Sequence, residues 1–314
     1  VSQPAISVVV CTHNRAAYLP KALRSLTGQT LPGSEFEVVL VDNRSTDGTR
    51  EIAAAFAGEG KIDLRYLHEP ALGLSHARNA GWRAARGEIV AYLDDDAVAS
   101  PGWLAAILEV FATVEPRPGC VGGPVAPLWE APRPSWLADE ILTSLTAIDW
   151  SATPHPLPDL RREWLVGANI AFPREVLEAV GGFADGLDRA GRNLLSSGDV
   201  FLQKQIAARG LACWYHPAVG VAHHVPGERL RQPWFVRRYY WQGVSDAVMQ
   251  LLEERPSPLG RLRLAGRRAL ALVRPPATLG TLLLPTDEPA RFTRKCWAWI
   301  ALGHTLGLLG AARR

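Results

Sequence analysis

Nowhere does the chain hold a run of about eighteen uninterrupted apolar residues, the length that a bilayer-crossing helix needs. Its 314 residues carry a net charge of only +3, so bulk electrostatics makes no case for a nucleic-acid partner. Cysteine is scarce. Cys11, Cys120, Cys213 and Cys296 stand far apart, with no CxxC or other zinc-like spacing. The lack of a disulfide framework fits a reducing compartment. The opening Val1-Ser2-Gln3-Pro4-Ala5 has neither the basic region nor the apolar core of a secretory leader. A cytoplasmic location is therefore expected, with peripheral contact at the cytoplasmic membrane face left open. The first strand–helix junction lacks GxGxxG, and there is no P-loop signature, which disfavours a nicotinamide enzyme and a P-loop nucleotidase.

What is present is a core-forming composition, 47% hydrophobic, arranged in a strand–helix rhythm. Ile6 to Cys11 reads as a buried strand and ends in the polar turn Thr12-His13-Asn14-Arg15. Tyr18 to Leu26 has helical spacing. Phe36 to Val41 is the next strand, followed by Asp42-Asn43-Arg44-Ser45-Thr46-Asp47-Gly48-Thr49 and a helix over Glu51 to Phe56. A third strand, Ile62 to Tyr66, precedes a helix from Gly73 to Arg86. Then Ile89 to Leu93 runs into Asp94-Asp95-Asp96. This alternation predicts an α/β fold, a mostly parallel sheet with helices on both faces. Ligands of open α/β sheets bind outside the carboxyl ends of the strands, where the three polar clusters fall. Three adjacent carboxylates repel one another, and a hard cation such as Mg²⁺ or Mn²⁺ would relieve that. A solvated acidic loop is the plain alternative.

The second half is less regular. Pro101 to Val114 reads as a helix and Cys120 to Val125 as a strand. The proline- and tryptophan-rich stretch from Pro127 to Leu160 reads as an irregular insertion over or beside a cleft. Trp164 to Phe172 reads as extended and Glu175 to Val180 as a short helix before Gly181-Gly182-Phe183. Asp199 opens a helix that Gly210 stops, so an N-terminal capping role is one reading of it. Ala212 to Tyr215 and Val219 to Ala222 read as a final strand pair or hairpin, with His223-His224 directly after. Adjacent strand residues point opposite ways, so at most one histidine is expected to be a ligand. Pro233 to Leu252 reads as a helix. Arg255 to Arg274 holds six arginines and no acid among leucines. That basic stretch, with the apolar Thr278 to Leu284 and Cys296 to Ala312, could rest on lipid, pack on the core or form a homodimer.

In order, Val8 to Arg15, Val41 to Thr49, Ala77-Arg78-Asn79-Ala80-Gly81, Leu93 to Asp96, Gly181-Gly182-Phe183 and Asp199 resemble the family 2 glycosyltransferases, whose catalytic domain has the GT-A, Rossmann-like fold. The resemblance spans roughly Ile6 to His224. It implies a donor-binding half over residues 1–120, an acceptor-side half over 121–226 and a mainly helical extension over 227–314. It implies an inverting transfer from a nucleoside-diphosphate sugar, UDP slightly preferred, to a hydroxyl of a small metabolite, a glycan or a lipid-linked sugar. Thr12, Asn14, Arg15, Asp42, Arg78, Asp94 and Asp95 are then expected at the donor. Asp96 and His223, with His224 as the alternative, are expected at Mn²⁺ or Mg²⁺. Asp199 is expected to be the general base. One departure is Gly198, where the family often has Glu; Asp185 and Asp188 are the alternative bases. Asn169, Trp164 and Trp136 are acceptor-side candidates. For Asp42 the residue-level alternative is a cap on its own turn, and for Arg78 an ion pair. A nucleotide-sugar hydrolase or nucleotidyltransferase is the competing enzyme class, and a non-catalytic sugar-binding protein the non-enzymatic one.

Overall fold

A computed structural model describes residues 3–189, 191, 193–273, 280 and 282–312. It divides into two units. The first comprises Val1–Leu128, Thr146–Asp185 and Gly198–His224. Its leading elements are β1 (Ile6–Thr12), α1 (Leu19–Thr27), β2 (Phe36–Asp42), α2 (Thr49–Gly58), β3 (Asp63–His68), α3 (Leu74–Ala84) and β4 (Ile89–Leu93). Then come β5 (Ala97–Ala99), α4 (Trp103–Thr113), β6 (Cys120–Gly122), β7 (Val125–Trp129), β8 (His155–Pro156) and β9 (Asn169–Pro173). The unit closes with α5 (Arg174–Val180), α6 (Gly198–Ala207), β10 (Cys213–Tyr215) and β11 (Val221–Val225).

The main sheet has the order β3-β2-β1-β4-β9-β6-β10-β8. Its β3-β2-β1-β4 half is parallel, and β9 runs antiparallel to both β4 and β6. The unbroken apolar run of β1 follows from burial on both faces. Val8 and Val10 join Leu19 and Leu23 of α1 on one side. Val9, with Val39 and Val41, joins Ala77 and Trp82 of α3 on the other.

A second sheet, β5-β11-β7, was not legible in advance. The hairpin reading of 212–222 is corrected. Strand β10 pairs with β6 in the main sheet, while β11 pairs with β5 in the small one. His223 and His224 lie inside β11 rather than after it. The stretch from Pro127 to Leu160 is also divided, since Trp129–Leu145 groups with the helices of the second unit.

That second unit comprises Trp129–Leu145, Gly186–Ser197 and Val225–Arg314. Its long helices are α7 (Gln232–Glu254), α8 (Pro258–Val273) and α9 (Pro289–Leu308). Phe235, Tyr239, Phe292 and Cys296 form its core with Ile141 and Leu145. Helices α7 and α9 approach closely because two glycines face a neighbouring backbone. A Cβ on Gly243 would overlap the Ile300 carbonyl, and one on Gly303 the Tyr240 carbonyl. No helix among the described residues is long and apolar enough to cross a membrane. Residues 278, 279 and 281 of the apolar 278–284 stretch lie outside the described residues.

Candidate functional site

The carboxyl ends of β1, β2 and β4 bring the three polar clusters to one sheet edge, each in a different local state. After β2, the Asp42 side chain is only 3% exposed. Its Oδ1 accepts the Ser45 N–H at 2.7 Å, which closes the turn, and its Oδ2 accepts the Tyr66 hydroxyl at 2.6 Å. Burial, then this bond to Asp42, pushes the Tyr66 phenol up to about 12, so it stays a donor. Tyr66 was missed in the sequence. Its only signal is position: β3 runs parallel to β2 and pairs Asp42 with His68, two residues beyond Tyr66 and therefore on the same face. After β1, Asn14 takes a left-handed conformation, φ 54°. Its Oδ1 accepts the Thr46 N–H at 2.8 Å and its own N–H reaches Ser45 Oγ at 3.0 Å, knitting the first two turns together.

After β4, Ala97 begins β5, and β5 pairs antiparallel with β11 so that His223 stands opposite Ala97. The His224 N–H donates to the Asp96 carbonyl at 2.9 Å, fixing that register. His223 Nε2 consequently lies 2.9 Å from Asp96 Oδ1 and 3.8 Å from Asp94 Oδ2. Asp94, Asp96 and His223 each offer one donor atom, all within 4.8 Å of one another. Two carboxylate oxygens and an imidazole nitrogen form a set that could hold a divalent cation. His223 Nδ1 is buried without a hydrogen-bond partner. The His224 ring instead meets the edge of Tyr18, centroids 5.4 Å apart.

Arg15 stands 3.4 Å from Asp96 Oδ2 and over the Tyr18 ring. Burial works against its cation, but Asp96, Asp95 and Asp94 more than offset that and hold it protonated. Asp95 is buried, as Asp96 is. Burial first, and Asp96 next, push its carboxyl up to about 7, against the pull of Arg15 and the Thr12 hydroxyl.

Arg78 links this group to the fifth acid. It is 5% exposed, lies over the Phe183 ring at 5.1 Å and comes within 4.0 Å of Asp94 Oδ1. Its guanidinium fills the space beside Gly167 where a Cβ would stand. The Gly167 N–H in turn donates to Asp199 Oδ2 at 2.8 Å, and Asp199 Oδ1 accepts the Val200 N–H at 2.8 Å. Asp199 therefore sits in the first turn of α6 and is held to the Gly167 backbone beside Arg78. Gly167 had no marked role in the sequence, because room for a neighbour's side chain leaves no pattern.

Other expected residues are placed differently. Asn169 is 0% exposed, with its amide donating to Val219 O and Pro124 O and accepting from Trp103 Nε1. Its polar atoms are engaged by the residues leading into β7 and β11 and by α4, so the acceptor contact is withdrawn. Trp164 is half-buried against Trp150, ring centroids 5.2 Å apart. Trp136 belongs to the second unit, edge-on to Phe292 and Phe235. Of the alternative bases, Asp185 is 70% exposed beside His76, and Asp188 is buried in the second unit. Asn79 braces the loop after α5, accepting the Phe183 N–H and donating to the Phe183 carbonyl.

Comparison with known proteins adds four findings. The family model described as glycosyl transferase family 2 matches residues 7–160. A glucosyl-dolichyl phosphate glucuronosyltransferase of Haloferax volcanii is 30% identical over 255 residues, 79% of this chain and 78% of its own. A validoxylamine A glucosyltransferase of Streptomyces hygroscopicus is 31% identical over 206 residues, 57% of this chain and 47% of its own. In fold, the chain is similar to a mannosyltransferase from Pyrobaculum calidifontis solved with GDP-Man and Mn²⁺. The TM-score is 0.62 at 22% identity, covering 99% of this chain and 89% of that one.

Proposed function

From the premise that the chain belongs to glycosyl transferase family 2, we propose that it performs a metal-assisted, inverting transfer of a sugar from a nucleoside diphosphate to an acceptor hydroxyl. The observation that carries this reading is the continuity of one group of side chains. It runs from His223 and Asp96 through Asp94 and Arg78 to Asp199. One end suits a diphosphate and its cation, and the other carries a carboxylate.

Asp94, Asp96 and His223 would hold Mn²⁺ or Mg²⁺, which when bound neutralises charge on the departing diphosphate. Arg15 and Arg78 are cations beside the same carboxylates and can donate to phosphate oxygens. Asp42, with Thr12 and Asn14 near it, is assigned to the nucleoside, UDP being the first choice of donor. Asp199 accepts the proton of the acceptor hydroxyl. Each of its oxygens has a lone pair left after its backbone bond. The acceptor oxygen forms a bond to the anomeric carbon as the bond to the diphosphate oxygen breaks, so one displacement inverts that centre and needs no enzyme nucleophile. A lipid-linked sugar is the favoured acceptor. Support comes from the Haloferax relative, a glucosyl-dolichyl phosphate glucuronosyltransferase that shares most of its length with this chain.

The test is to incubate the chain with Mn²⁺ and UDP- and GDP-sugars, with and without polyprenyl-phosphate sugars. Nucleoside diphosphate release and acceptor mass are followed together. Acceptor-dependent release with a mass gain of one sugar is expected. Release without acceptor would instead support the hydrolase reading.

A further inference from the structure

We infer that α8 lays a leucine and arginine face on an anionic lipid bilayer. Ten large hydrophobic side chains are exposed among the described residues, and eight of them lie beyond residue 250. Three belong to α8: Leu259, Leu262 and Leu270, exposed at 58%, 58% and 47%. At about 100° per residue they fall within roughly an 80° arc of the helix surface. The buried contacts of the same helix are made by Ala265 and Leu272, on another side. The helix thus has a covered apolar side and an uncovered one.

Charge identifies what the uncovered side meets. Arg263 and Arg267 follow on from the leucine arc, about 20° and 60° beyond Leu270 at the same helical increment. Neither forms an ion pair with a described residue. From Arg255 to Thr286 the sequence holds six arginines and no acid. A surface helix adapted only to water would not leave three leucines in it, and phosphate binding alone gives no use for them. Leucines at the acyl boundary with guanidiniums among headgroup phosphates account for both. A second copy fits less well, because a two-fold contact through this face would set arginines against arginines.

The experiment co-sediments the full chain with vesicles of phosphatidylcholine alone and of phosphatidylcholine and phosphatidylglycerol in equal parts. Binding to the anionic vesicles is expected to exceed that to the neutral ones by at least about tenfold, and to weaken with salt. The pair Arg263→Gln and Arg267→Gln is expected to weaken it about thirtyfold. The triple change of Leu259, Leu262 and Leu270 to Gln should weaken it comparably. Both variants change exposed groups only, so melting temperature and donor consumption with a soluble acceptor should stay as in the parent. Equal partition to both vesicle types, no sedimentation with either, or an arginine variant that binds like the parent overturns the inference. A concentration-dependent dimer that the leucine variant abolishes, without vesicle binding, overturns it in favour of self-association.

Discussion

His223 Nε2 lies 2.9 Å from Asp96 Oδ1, although 127 positions (223 − 96) separate the two residues. The pairing of His223 with Ala97 across β11 and β5 accounts for this. The two neighbouring histidines should therefore differ sharply. His223→Ala is expected to weaken Mn²⁺ binding by more than about a hundredfold, read by electron paramagnetic resonance titration. His224→Gln, at the residue whose ring meets Tyr18, should leave it within a few-fold. Equal losses in both variants would count against His223 as the ligand.

Asp199 supplies the second expectation. Replacement by Asn keeps an oxygen to accept the Gly167 N–H but removes the charge that takes a proton. Turnover should fall by about a hundredfold to ten-thousandfold, while donor affinity measured by calorimetry changes little. A variant that turns over like the parent would remove Asp199 as the base.

Much of this group could be read from the chain, and the reasons for the rest are physical. Strands β1, β2 and β4 announce themselves because burial on both faces makes continuous apolar runs. The polar residues after them stand out by contrast. Strand β5 has three residues directly after an acidic triplet, too few to show any period. Without β5, the register that separates His223 from His224 has no reference. Asn169 looked like a polar contact because the sequence shows its amide but not Val219 O, Pro124 O and Trp103 Nε1, which consume it. The capping alternative for Asp42 is realised in the Ser45 bond, while Tyr66, its other partner, comes from a different strand.

Tyr66 gives a third expectation. Tyr66→Phe removes the hydroxyl that orients Asp42 Oδ2. About 1 kcal/mol of donor binding should be lost, a roughly fivefold rise in donor KM with kcat unchanged. A fall in kcat with KM intact would argue that Tyr66 acts elsewhere in the reaction.

A fourth expectation concerns acid stability. Burial, helped by repulsion from Arg268, lowers His304 from 6.5 to about 4 in the folded chain. Between these values the unfolded state binds the extra proton, so the contribution is complete above about pH 6.5 and is lost as pH falls through about 4. The full effect is on the order of 3 kcal/mol. His304→Gln should flatten that part of the slope in urea unfolding curves compared across this range. An unchanged slope would mean that His304 titrates alike in both states.

Close approach of α7 and α9 leads to a fifth. Gly303→Val would drive its side chain into the Tyr240 carbonyl. A cost of about 1–3 kcal/mol is expected, seen as an earlier urea midpoint for the helical unit.

The tandem histidines also bear on what selects one imidazole of two to face Asp96. In an antiparallel pair, whichever residue stands opposite Ala97 shares its face of the sheet, and a slip of one residue exchanges neighbours between faces. Along β11, such a slip in one direction replaces His223 with His224, another imidazole. The His224 N–H bond to the Asp96 carbonyl at 2.9 Å selects the alignment that faces His223 to Asp96. Which of two identical side chains meets that carboxylate is thus decided by the main chain alone.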